Sequence, residues 1–104
     1  MTPFSIVYVP CRDEIEAKKI ARELIKNREA FCVNIIPNAY SVYTWKGKTE
    51  EAEEVLVIAK TRAKLVSKVM KRIKELHSYD LPEIISLKIE KTTPEMEKWL
   101  KGFF

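Results

Sequence analysis

Positions 4 to 9, Phe4-Ser5-Ile6-Val7-Tyr8-Val9, are rich in β-branched and aromatic residues and close at Pro10, which has no N–H for a sheet ladder. A short strand is predicted there. From Asp13 the period lengthens. Ala17, Ile20, Ala21, Leu24 and Ile25 recur at the spacing of one helical face, with Asp13 and Glu14 at its positive amino end. This helix should run to Asn27 or Glu29.

Phe31 to Ile36 and Tyr40 to Trp45 are again extended patterns, the second with large residues on both alternating faces. Only Pro37-Asn38 separates them, so they form one long strand bent at Pro37. Gly47 in Lys46-Gly47-Lys48 tolerates positive φ, and Glu53 to Lys60 returns as the second arm of a hairpin. Thr61 stands as the N-cap of a helix striped by Leu65, Val66, Val69, Met70, Ile73 and Leu76. His77 to Pro82 breaks that helix and Glu83 to Ile89 supplies a last strand. Thr93-Pro94-Glu95 then opens a helix with Met96, Trp99, Leu100 and Phe103 on one side.

The order β-α-β-β-α-β plus a terminal helix is the ferredoxin-like split βαβ pattern of an α+β domain. It predicts an antiparallel sheet with both main helices on one face. The other face must be solvated, ligand-covered or packed on another chain. A chain of 104 residues supports one domain, residues 1–104, with little core to spare. That makes assembly a natural expectation.

Composition narrows the function. No apolar window is long enough to cross a membrane and the amino terminus shows no leader, which points to the cytoplasm. The net charge of +4 is concentrated: Lys60 to Glu75 holds seven basic residues against one Glu, and the rest of the chain is slightly acidic. RNA-recognition modules of this topology carry aromatics on their central strands, and Val55 to Ala59 has none, so nucleic acid is excluded as a partner. Glu50, Glu51, Glu53 and Glu54 form a compensating acidic patch. The absence of Gln, the two glycines and the high charge fit a thermophilic source and a stable fold.

The chemistry-bearing residues are few. Gly47-Lys48-Thr49 lacks the preceding glycine of a phosphate loop, and no nucleophile elbow, H-E-x-x-H or dinucleotide loop occurs, so no enzyme is indicated. Cys32, within Phe31-Cys32-Val33, reads as a buried small hydrophobe, while Cys11 falls in a loop with a better claim to chemistry. His77, the one histidine, ends a helix, where it can cap the last carbonyls or ligate a metal. Were Cys11 and His77 to converge, thiolate and imidazole would suit copper or another borderline ion. A symmetric oligomer would multiply such donors.

Three segments stand together: Phe31-Cys32-Val33-Asn34-Ile35; Ser41-Val42-Tyr43-Thr44-Trp45-Lys46-Gly47-Lys48 with Glu50, Glu54 and Lys60-Thr61; and His77-Ser78-Tyr79-Asp80-Leu81-Pro82-Glu83. In this order they resemble the CutA divalent-cation tolerance family over essentially the whole chain. The resemblance implies a tight homotrimer of ferredoxin-like subunits, tolerance to copper and other divalent ions, no established catalysis and no obligatory cofactor. It assigns Asn34, Ser41, Tyr43, Trp45, Gly47, Lys48, Lys60, Tyr79 and Pro82 to an inter-subunit cleft. His77 becomes the first candidate for a weakly bound divalent metal, with Glu83 and Cys11 behind it. Two departures stand out. Val9 occupies the strand-end position where some members carry cysteine, two residues before Cys11, and Met96 replaces a tyrosine three residues before Trp99. Two other uses of a trimer stay open. A cleft rimmed by Lys48, Lys60 and Tyr79 would take a small anion or nucleotide, and a scaffold would present surfaces such as Lys101-Gly102-Phe103-Phe104 to a partner protein.

Overall fold

A computed structural model of the chain describes residues 2–103. Phe104, at the end of the tail considered above, lies outside them. The elements are β1 (Phe4–Cys11), α1 (Glu14–Lys26), β2 (Cys32–Trp45), β3 (Lys48–Arg62), a 3-10 turn (Ala63–Leu65), α2 (Val66–Leu76), β4 (Ile85–Lys88) and α3 (Pro94–Phe103). The sheet order is β2-β3-β1-β4, every pairing antiparallel. This is the split arrangement expected from the element order.

Alternation along β1 divides the sheet into two faces. Val7, Val9 and Cys11, with Val55, Val57 and Ala59 of β3, pack against Ala17, Ile20 and Leu24 of α1 and Val69 and Ile73 of α2. Phe4 belongs to the opposite face. There Phe31 meets Phe4, Trp99 and Phe103 edge-on at centroid distances of 6.1–6.5 Å, so α3 covers one end of the face that α1 and α2 leave open.

Several predicted boundaries move, each for a physical reason. β1 does not stop at Val9: Pro10 pairs with Leu56 and Cys11 with Val55. A residue's amide N and carbonyl point to the same side of a strand. The Pro10 carbonyl accepts from His77, so its missing donor also faces away from β3 and costs no ladder bond. Cys11 therefore ends a strand, fully buried, and is not in a loop. Cys32, expected to be buried, is half-buried instead.

Thr61 is not a helix cap. It lies within β3, buried, where its hydroxyl donates to the Glu29 carbonyl, and α2 starts after the 3-10 turn without a side-chain cap. β3 begins at Lys48, because the two-residue turn Lys46-Gly47, with φ of +50° and +78°, lets pairing start at once. β4 is only Ile85–Lys88, matching the four residues Ser5–Tyr8 of β1 that it pairs with. α1 is capped by Asp13, expected only as a favourable charge at the helix's positive end, which accepts from Glu16 N–H at 2.8 Å. β2 runs unbroken past Pro37, with a register shift between Ile36 and Ala39.

Candidate metal centre

The end of β1, the first turn of α1 and the turn after α2 meet at one point. β1 delivers Cys11 to the helix-facing side of the sheet. Glu16, on the same stripe as Ile20 and Leu24, turns inward and is buried. Its carboxylate accepts from Arg12 N–H at 2.8 Å and from Ser78 N–H at 2.5 Å, joining both ends of the site. The His77 side chain is fully buried.

Cys11, Glu16 and His77 each bring one donor atom to within 4.8 Å of the others. The imidazole tautomer follows from its neighbours. Tyr79 N–H donates to Nδ1 at 3.1 Å, so the ring proton is on Nε2 and is donated to the Pro10 carbonyl at 2.8 Å. Nδ1, whose lone pair accepts from Tyr79 N–H, lies 3.9 Å from Glu16 Oε1.

Electrostatics set the resting protonation. Burial, followed by the charges of Glu16, Glu54 and Asp13, pushes the Cys11 thiol up to about 12. For Glu16, burial pulls upward, but hydrogen bonds from Arg12 and Ser78 and the nearby His77 outweigh it and leave the carboxyl below its usual range. At rest the cluster thus holds a thiol and a carboxylate beside an imidazole whose Nδ1 accepts from Tyr79 N–H.

Sulfur, nitrogen and oxygen donors of this kind suit a borderline divalent ion such as copper or zinc. Donors around a tetrahedral zinc-sized ion stand roughly 3.5 Å apart, so these would draw together by up to about 1.3 Å. The thiol would also lose its proton. The residues fit a divalent cation in type and number, with one or more positions left for water or a neighbouring chain.

Of the predicted metal residues, the structure brings together His77 and Cys11 but leaves Glu83 exposed and outside the cluster; Glu16 takes the third place. The signal for Glu16 was its position four residues before Ile20 on the apolar stripe, where an ionisable side chain must find partners.

The predicted cleft residues are spread along the sheet. Tyr43 pairs with Glu50, Trp45 with Lys48 and Ser41 with Ala52 in the hairpin, whereas Asn34 pairs with Ile58 and Lys60 with Cys32 at the far end. Gly47 forms the hairpin turn, and Tyr79 and Pro82 lie in the segment after α2. Lys48 and Lys60 are twelve residues apart on β3, roughly 40 Å at strand rise. Within one subunit they cannot rim one small-molecule site.

The family model of the CutA1 divalent ion tolerance protein matches residues 5–102. The chain belongs to the CutA1 family. A CutA homolog from Xenopus laevis is 45% identical over 96 residues, 92% of this chain and 64% of the frog protein. The chain spans between about half and two thirds of the length of such animal relatives. CutA from Xylella fastidiosa has a superposable structure, with TM-score 0.92, 33% identity and coverage of 98% of both chains. A structure described as the periplasmic divalent cation tolerance protein CutA from Archaeoglobus fulgidus gives TM-score 0.90 at 34% identity, covering 96% of this chain and 97% of its own. Among the described residues no helix is long and apolar enough to cross a membrane.

Proposed function

We propose that this CutA1-family chain is a non-catalytic, divalent-cation-binding protein that works as a homotrimer in the cytoplasm. Copper or a similar borderline ion would be held weakly at Cys11, Glu16 and His77. The convergence of these three donors carries the reading. Weak binding follows from the resting state, since the thiol is protonated and Nδ1 is already hydrogen-bonded.

The trimer is supported by the sheet's outer strands. β2 and β4 form the two edges, and Ile36, Tyr40, Val42, Tyr43, Trp45, Ile85 and Leu87 are exposed along them. Long edges with large apolar side chains are aggregation templates unless another chain covers them. Pairing one subunit's β2 edge with the next subunit's β4 edge is a head-to-tail contact, the kind that builds a ring when its rotation closes. Fluorescent fusions partitioned between cytoplasm and envelope would test the compartment.

The test of the metal reading is calorimetric titration with Cu2+ and Zn2+. The main binding event should vanish in His77→Ala and weaken in Cys11→Ser, while Glu83→Gln leaves it in place. An isotherm unchanged by His77→Ala rejects the site.

The small-anion reading keeps one supporting observation. Lys60 borders a groove of about 500 Å³ under α3, lined by Phe4, Ile6, Phe31, Met96 and Leu100, with Lys91 also on its rim. Thermal stabilisation by small anions and not by metals would favour that reading.

A further inference from the structure

Tyr79 ties the donor cluster to the long hairpin. Its amide donates to His77 Nδ1 at 3.1 Å, and its ring packs edge-on against the imidazole with centroids 4.7 Å apart. Its phenol reaches the other way and donates to Glu54 Oε2 at 2.8 Å. Glu54 is buried and faces Ala39 across the ladder, where β2 resumes after its register shift. One residue therefore touches both the nitrogen a cation would need and the bend from which the hairpin arm projects.

The two uses of Nδ1 exclude each other. The lone pair that accepts from Tyr79 N–H cannot at the same time be given to a cation, and Nε2 is committed to Pro10 as a donor. Glu16 is under no such conflict, because a carboxylate has lone pairs to spare beyond those facing Arg12 and Ser78. Opening the cluster thus falls on residue 79. A charge-assisted bond from its phenol to Glu54 resists that movement.

We propose that Tyr79 is a positioning residue that holds the cluster shut, so that freeing Nδ1 for a divalent cation draws the Tyr79 amide away and slackens the phenol's hold on Glu54 at the hairpin bend. This rests on the metal reading above. Linkage makes the coupling reciprocal: whatever fixes the hairpin with Tyr79 in place lowers cation affinity by the same factor. The site then reports cation occupancy to the hairpin arm.

The experiment uses the full chain and Zn2+ as probe, with calorimetry on wild type, His77→Ala, Tyr79→Phe and Glu54→Gln. Tyr79→Phe should bind Zn2+ about three- to tenfold more tightly at unchanged stoichiometry, and Glu54→Gln should shift affinity the same way by less. In wild type, Zn2+ should accelerate amide hydrogen exchange in peptides covering 77–80 and 52–56. Binding that needs His77 but is indifferent to both substitutions, or that leaves exchange at 52–56 unchanged, overturns the coupling and leaves the metal site standing. Wild type that takes up no Zn2+, or His77→Ala that binds as wild type does, overturns the metal reading and the coupling with it. Should Tyr79→Phe prove too unstable to titrate, Glu54→Gln decides the question with the exchange data.

Discussion

Arg72 of α2 grips the carboxylate of Glu29 just past α1, Nε to Oε1 at 2.9 Å and Nη2 to Oε2 at 3.2 Å, with the Glu29 side chain only 2% exposed. The ion pair joins the two helices that cover the core, and Glu29 also gives its carbonyl to the buried Thr61 hydroxyl. Removing one partner of a buried pair leaves the other charge stranded. Arg72→Ala should lower the denaturation midpoint, by less than for a fully buried pair because Arg72 is partly open to water. Glu29→Gln with Arg72→Met should recover part of that loss. Chemical denaturation of the single and double variants measures both.

Glu16 predicts an acid-sensitive fold. Its folded-state carboxyl titrates below its unfolded value, so its contribution is fully present above the usual carboxylate range and disappears as pH falls through the lowered folded value. Glu16→Gln, which turns an amide N–H toward one of the donors, should cost about 1–3 kcal/mol at pH 7. The gap between wild type and variant should close below about pH 4. Melting curves from pH 7 to pH 3 that stay parallel would contradict this role.

The main elements were legible in the sequence because each had its own period and punctuation: alternation and Gly47 for the hairpin, the α1 stripe behind Asp13, and Pro94 before α3. What could not be read depended on distant partners. Pro10 suits a strand interior only because β4 ends short and His77 takes its carbonyl. Thr61 looks like a cap until the Glu29 carbonyl is found beside it. The same holds for the site. Cys11 and His77 were identifiable by residue type; Glu16 carried only the signal of its place on the apolar stripe, and only the folded chain puts it in the cluster and leaves Glu83 in water.

Cation binding should be pH-dependent in a direction fixed by Cys11. With its thiol pushed up to about 12, the group is protonated throughout the neutral range and must release its proton to become a ligand. Affinity for Zn2+ should rise by up to about tenfold per pH unit between pH 7 and pH 9, with about one proton released per ion bound. Calorimetry in buffers of different ionisation enthalpy counts that proton directly. Cys11→Ser should bind more weakly and release none, whereas equal proton release in wild type and variant would remove Cys11 from the ligand set.

Trp45 discriminates between a lone subunit and an assembly by magnitude alone. It is 42% exposed near the end of the hairpin arm, beside Lys48 on the paired strand, with the Lys46 ammonium 5.8 Å from its ring centroid. In an isolated chain Trp45→Ala would forfeit little more than that exposed cation–π contact and some half-buried surface, about 0.5–1 kcal/mol. If instead the ring is buried against a neighbouring subunit, the same substitution should cost about 2 kcal/mol or more per contact, and the cost should depend on protein concentration. Light scattering coupled to gel filtration should find wild type at three times the subunit mass and Trp45→Ala partly dissociated at low micromolar concentration. Its melting temperature should also climb as the protein is concentrated. A variant that keeps its mass and its melting point at every dilution would place Trp45 outside the contact, and a wild type running at a single subunit's mass would remove the trimer itself.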